Sequence, residues 1–163
     1  MLGAVFRGKT VTITIIAKNR KAYFDYQIGE TFEAGIVLQG MEVKSLRLGS
    51  ISLKEAWVDI SSDEEAILKQ AHITPYSHSH LRPGEYQEMR PRKLLLKKRQ
   101  IRDLAEALHA KGMTIVPTQI YFKGRLVKVE IALASGKKQY DKRERSKERE
   151  AERSIARTLR DKR

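Results

Sequence analysis

The chain contains no cysteine, which excludes disulfide staples, thiolate zinc sites and thiol nucleophiles together and agrees with a reducing compartment. Its fold must therefore stand on a hydrophobic core. Aromatic residues make up only 7%, with a single tryptophan. The longest apolar run near the start, Val11 to Ala17, is interrupted by Thr12 and Thr14, and nothing approaches the roughly 18 to 20 apolar residues of a membrane span. No secretory or anchor pattern is visible. A cytoplasmic protein with no membrane partner is expected. There is no phosphate loop of the GxxxxGK type, and the Gly35/Gly40 spacing matches no dinucleotide fingerprint.

Catalytic signatures are also scarce. His72, His78, His80 and His109 are the four histidines, and none has a catalytic spacing. His78 and His80 would share one face of a strand, but the pattern marks no third metal ligand. Asp25, Glu33, Glu42, Asp59, Asp63, Glu64 and Glu65 are scattered or gathered in a turn, without a paired acid/base arrangement. A nuclease or RNA-modifying enzyme built on Glu33, Asp25 and the loop histidines is thus the minority reading. No enzyme activity, metal or cofactor is expected.

Positive charge is what the chain has in excess. Thirty-three Lys and Arg oppose 20 Asp and Glu, leaving +13 over 163 residues, a field that favours a polyanionic partner. Residues 136–163 carry twelve basic and six acidic residues, so about half the excess lies in a sixth of the length. Apolar residues thin out there to Tyr140, Ala151, Ile155, Ala156 and Leu159, too few to offset the entropy of ordering the backbone. Residues 1–135 are read as one domain and residues 136–163 as a basic tail, disordered when free.

Within the domain, Val11 to Ile15 alternates with period two, Tyr23 to Ile28 is aromatic and β-branched, and Phe32 to Leu38 is a further apolar run. Ala56 to Ile60 and Ala66 to Thr74 flank the polar turn Ser61 to Glu65, and Thr114 to Phe122 and Leu126 to Ala134 flank Lys123-Gly124-Arg125. This pattern predicts a mainly β fold, a small antiparallel barrel that is closed or nearly so, with flanking helices. One helix is expected over 41–48, capped by Gly49, and a longer one over 92–111 after Pro91. On a helical wheel Leu94, Ile101, Leu104, Ala105 and Leu108 form a core stripe about 100° wide. Leu95 and Leu96 fall off it, so they lean toward solvent or a partner, unless the helix begins a turn later or they cover a barrel end. Tyr76 to Met89 reads as a long flexible loop.

Cations interleave with aromatics at Lys18-Asn19-Arg20-Lys21 before Tyr23, Phe24 and Tyr26, and again at Lys137-Lys138-Gln139-Tyr140. Phosphates need cations and bases need flat faces, so these clusters suit RNA. If the tail became helical from Glu144, Arg145, Arg149, Arg153 and Arg157 would align at spacing four, with Ala151, Ile155 and Leu159 in a thin apolar stripe. Such a helix would form on binding.

The strings Asn19-Arg20-Lys21-Ala22, Phe32 to Ile36, Gly40 to Arg47, Arg92 to Leu96 and Gly136 to Arg143 occur in this order. Together they resemble the SsrA-binding protein (small protein B) family. The resemblance implies an oligonucleotide-binding-type barrel and a non-catalytic, monomeric factor of bacterial trans-translation. Such a factor binds the tRNA-like domain of transfer-messenger RNA (tmRNA, SsrA RNA), with alanyl-tRNA synthetase and elongation factor Tu as indirect partners. It also implies a ribosome-associated location, with the tail at the small-subunit rRNA of the decoding centre and in the empty mRNA channel.

Position by position, the resemblance implies RNA contacts at Asn19, Glu33, Leu95 and Lys128, with Arg20, Lys21 and Lys93 adjoining them. Asn19 would read a base edge, Leu95 would pack on an unstacked base and Lys128 would neutralise phosphate. Glu33 would accept from amino groups or 2′-hydroxyls, or serve as an ion-pair partner within the barrel. In the tail, Gly136, Lys137, Lys138, Asp141, Lys142 and Arg143 match the family's junction motif, whereas Tyr140 stands where histidine is common. Arg145, Arg149, Arg153, Ile155, Arg157 and Leu159 complete the implied ribosome-binding set. A ribosomal or cold-shock-like binder of single strands is the alternative of the same broad type.

Overall fold

A computed structural model describes residues 11–76, residues 86–137 and Glu150. The chain runs β1 (Ile13–Lys18), α1 (Arg20–Asp25), β2 (Tyr26–Ile36), α2 (Gly40–Arg47), β3 (Ile51–Ser52), β4 (Trp57–Ile60), β5 (Ala66–Lys69), β6 (His72–Ile73), β7 (Arg92–Leu95), α3 (Lys98–Leu108), β8 (Met113–Lys123) and β9 (Leu126–Gly136). Seven strands form one sheet in the order β1-β8-β9-β2-β7-β5-β4, and β3 pairs with β6. Every described pairing is antiparallel.

The expected barrel, closed or nearly so, is met in part by an antiparallel sheet without closure: β1 and β4 are the two ends of the sheet order and share no ladder among the described residues. The sheet curls enough to bring β4 beside β8 and β3 beside β1. Side chains close this seam in place of a strand. The Asn19 amide, at the end of β1, donates to the carbonyls of Leu53 (2.8 Å) and Pro117 (2.9 Å). Inside the curl, Leu46, Leu68, Ile73, Leu94, Leu104, Ile115, Ile120 and Ile131 are almost fully buried, each contributing about 1.5 to 3 kcal/mol relative to exposure.

Both long hairpins form as the sequence predicts, with Glu64 (φ 54°) in the β4–β5 turn and Gly124 (φ 61°) in the β8–β9 turn. Helix α2 also falls where expected, and Gly49 beyond it has φ 72°. Three expectations change. The aromatic stretch from Tyr23 begins as helix α1, because the Asn19 side chain accepts from the Ala22 amide and starts a turn. The expected strand over Ala66 to Thr74 is divided between β5 and β6, with Gln70 between them at φ 58°.

The third change concerns the expected 92–111 helix. Arg92–Leu95 is strand β7, with Arg92 and Leu94 inward and Lys93 and Leu95 outward, and α3 begins only at Lys98. Pairing with β5 and β2 claims the first four residues for the sheet, since a strand buried on one face satisfies its backbone while placing alternate side chains in the core. Leu95 is still exposed (55%), through strand alternation and not through a helical wheel. Leu96 is half-buried against the core.

Candidate nucleic-acid interface

The outer face of β7-β2-β9-β8 is assembled by register. Gly35 on β2 is opposite Leu95 on β7 and opposite Lys128 on β9, and Lys128 is in turn opposite Tyr121 on β8. Residues opposite one another in antiparallel strands share a face, so Leu95, Gly35, Lys128 and Tyr121 form one row. Glu33 stands two residues before Gly35 on the same side. Leu95 hangs over Gly35, where an added Cβ would lie 3.2 Å from the Leu95 Cβ.

Around that row lies an open groove of about 310 Å³, lined by Gly35, Leu38, Val43, Leu95, Leu126 and Lys128, with Arg125 at its rim. Its aliphatic floor and cationic rim can hold a flat apolar group attached to an anion. An unstacked nucleotide has that chemistry. Arg125 and Leu126 escaped sequence reasoning because the β8–β9 turn reads simply as a hairpin; their signal is a cation and an exposed aliphatic side by side at the turn.

Glu33 lies beside the groove in an ion pair. Its carboxylate accepts from the Tyr121 hydroxyl (2.6 Å) and from Lys123 Nζ (3.0 Å to each oxygen). The Tyr121 hydrogen bond, then that of Lys123, holds the carboxyl below its ordinary range. Burial, then the bond to Glu33, pushes the Tyr121 phenol up. Lys93 projects from β7 and pairs with Glu65.

Asn19 is separate from this groove. It is 2% exposed, and its amide is spent on Leu53, Pro117 and Ala22. Arg20 is exposed on α1, and Lys21 pairs with Glu55 at 2.5 Å. Both belong to the opposite end of β2. Gly136 and Lys137 are there too: Gly136 is opposite Tyr26, the Lys137 amide donates to the Asp25 carbonyl (3.1 Å), and Lys137 Nζ donates to the Tyr23 carbonyl (3.0 Å). Lys138, Tyr140, Asp141, Lys142, Arg143, Arg145, Arg149, Arg153, Ile155, Arg157 and Leu159 lie outside the described residues, as do His78 and His80. Among the described residues no group of three or more His, Asp or Glu is placed to hold a metal, and no helix is long and apolar enough to cross a membrane.

A buried network braces the groove from behind. Glu42 on α2, fully buried, accepts from Arg92 Nε (2.9 Å) and from Arg90, and its side chain also accepts from the Gln39 amide (2.7 Å). Arg92, also fully buried, donates to the carbonyls of Ala71 (2.6 Å) and Glu88 (2.9 Å). Burial pushes the Glu42 carboxyl up, but the bonds from Arg90 and Gln39 and the charge of Arg92 outweigh it, and the net direction is down. Sequence reasoning missed this pair because its residues are 50 positions apart.

The sequence profile of the SmpB protein family matches residues 16–161. The chain belongs to the SmpB family. Among its relatives, the SsrA-binding protein of Chloroflexus aggregans is 50% identical over 154 residues, 93% of this chain and 94% of that protein. The SsrA-binding protein of Parvibaculum lavamentivorans is 55% identical over 150 residues, 91% of this chain and 89% of that one. A chain solved under the description "tmRNA-SmpB: a journey to the center of the bacterial ribosome" matches with a TM-score of 0.63 and 42% identity, over 76% of this chain and 85% of that one. Within this SmpB-family chain, the groove residues Gly35, Leu95 and Lys128 and the tail root all fall inside the matched span.

Proposed function

We propose that this chain is a non-catalytic RNA-binding protein of trans-translation, which binds the tRNA-like domain of tmRNA and accompanies it to stalled ribosomes. The curled sheet serves as an oligonucleotide-binding-type platform. The observation that carries the reading is the row Leu95-Gly35-Lys128, an aliphatic contact and a cation brought together by register. Leu95 packs on an unstacked base of the folded RNA, and Lys128 and Arg125 meet its phosphates. Glu33 holds Tyr121 and Lys123 in place beside the groove. Asn19 acts through the scaffold, tying α1 to the seam.

The tail has a separate task. It leaves the sheet at Gly136, eight positions along β9 from Lys128, a span of roughly 25 Å. One body can thus hold RNA at one end while the basic tail, ordering as a helix, occupies the decoding centre and the empty mRNA channel from the other. By the same reading the protein supports alanylation and delivery of the RNA with elongation factor Tu.

The test is binding to the isolated tRNA-like domain against an unstructured strand of equal length at matched salt. Strong preference for the folded domain, lost in Leu95→Ala, is expected. Equal affinity for both RNAs would instead make the chain a general single-strand binder.

A further inference from the structure

The groove beside Gly35 has a cause in the topology. The β2–β9 ladder ends at Gly35 and Lys128. Beyond that pair β9 continues to Leu126 against β8, while β2 continues against β7, where Ile36 is opposite Leu94 and the Val37 amide donates to the Lys93 carbonyl (2.9 Å). Each strand follows its other neighbour, so the two part and leave a fork in the sheet. The groove enters that fork, with Ile36, Leu38 and Val43 on one side and Leu126 and Val127 on the other.

Two leucines flank the mouth. Leu95 is 55% exposed and Leu126 is 63% exposed. Leu126 precedes Lys128 by two positions on β9 and so projects from the same outer face. Leu95 lies two strand spacings across from Lys128, roughly 9.6 Å, and Leu126 lies two residues along from it, roughly 7 Å, which sets their backbones about 12 Å apart on the diagonal. Leu95 leans inward, since its Cδ1 would be 3.4 Å from a Cβ added to Gly35. With each side chain reaching about 2.5 Å toward the other, about 7 Å is left between them, the room for one planar ring in contact at about 3.5 Å on each face.

We propose that Leu126 is the second wall of a clamp that holds one looped-out base of the RNA between itself and Leu95, with Arg125 and Lys128 on the flanking phosphates. Resting on the groove's role as the RNA site, the clamp adds the ligand's chemistry: a nucleotide extruded from the stack, because a base within a helix has neighbours on both faces and leaves none for a leucine. Aliphatic walls touch the ring faces and not the hydrogen-bonding edge, so the clamp selects extrusion and tolerates base identity. An apolar side chain of a protein partner would fit the same walls, but the cations Arg125 and Lys128 at the rim favour a ligand joined to anions. The volume of about 310 Å³ suits a single nucleotide.

A double-mutant cycle on binding to the isolated tRNA-like domain tests the clamp. Leu126→Ala should weaken binding about as much as Leu95→Ala, each by roughly tenfold, and the double variant should be little weaker than either, because removing one wall already releases the base from the other. Residues about 12 Å apart that share no ligand give independent losses. A double variant that multiplies the two single losses therefore overturns the proposal, as does Leu126→Ala binding like the parent while Leu95→Ala does not. If Leu95→Ala also binds like the parent, the groove is not the RNA site and the function proposed above fails with the clamp. Leu126→Met keeps an aliphatic wall and should restore most of the affinity. The slope of log affinity against log salt should be the same in Leu126→Ala as in the parent; a lower slope would mean that the substitution acts by displacing Arg125, which contradicts the clamp. 2-Aminopurine placed in turn at each loop position of the RNA domain gives a direct signal. Its fluorescence should rise at one position on binding, since aliphatic walls unstack the base without quenching it, and the rise should vanish with Leu126→Ala; no rise at any position counts against an extruded base.

Discussion

Gly35 stands between Leu95 and Lys128, opposite the first on β7 and the second on β9. A glycine is what allows the leucine to lie across the strand, because a Cβ there would press to 3.2 Å against the Leu95 Cβ. Gly35→Val should therefore displace Leu95 and weaken tRNA-like-domain binding about as much as losing the leucine, with Gly35→Ala intermediate. Binding isotherms of both variants check this; unchanged affinity in a folded Gly35→Val protein would separate the groove from RNA recognition.

Leu95 and Lys128 should fail in different ways. Leu95→Ala should cost about 1 to 3 kcal/mol of binding to the folded RNA, the range for a lost base-packing contact. Lys128→Met should weaken binding to all RNAs alike and lower the slope of log affinity against log salt by about one. Titrations at several salt concentrations distinguish the two.

Asn19 offers a contrast. Its amide donates to two buried carbonyls on different strands and loops, so Asn19→Ala should lower stability by about 1 to 3 kcal/mol by leaving them unsatisfied. Denaturant unfolding would show that loss, whereas Leu95→Ala, exposed on its strand, should unfold nearly like the parent. A base-edge role for Asn19 predicts the reverse, a binding defect without a stability defect.

Acid should loosen the support behind the groove. The Glu42 carboxyl lies below its ordinary value of 4.5 in the fold, so its ionised form is the one that folding favours. The stabilisation is complete above that ordinary value and is lost as pH falls through the depressed one. Glu42→Gln should flatten this part of the acid-unfolding profile, and Glu42→Ala should cost about 3 to 5 kcal/mol at neutral pH by leaving the buried Arg92 uncompensated. Thermal unfolding between pH 3 and 7 is the measurement, where roughly that window brackets the carboxylate range.

A chain ending at Lys137 keeps β9 and its ties to Asp25 and Tyr23. It should bind the isolated RNA nearly as well as the full chain and yet fail to support tagging on stalled ribosomes. Equal tagging by the two proteins would remove the tail from the mechanism.

Much of this molecule was legible along the chain. The two long hairpins, α2 and the excess of positive charge follow from short-range rules: polar turns between β-branched runs, a glycine past a helix end, and the count of cations. Where the reading failed, a distant partner had decided. Leu94, Ile101, Leu104 and Leu108 fit a helical stripe, but a ladder to β5 and β2 outweighed that period over Arg92–Leu95. Asn19 was legible as a polar residue among cations, and its burial against the Leu53 and Pro117 carbonyls was not.

By itself the sequence determined the class of partner and the local elements, because charge and hydrophobic period are properties of neighbouring residues. Tertiary structure alone decided that Leu95, Gly35 and Lys128 share a row and that Arg92 is buried with Glu42. Those arrangements depend on strand register, and register is settled only when residues many positions apart pair to fill one core.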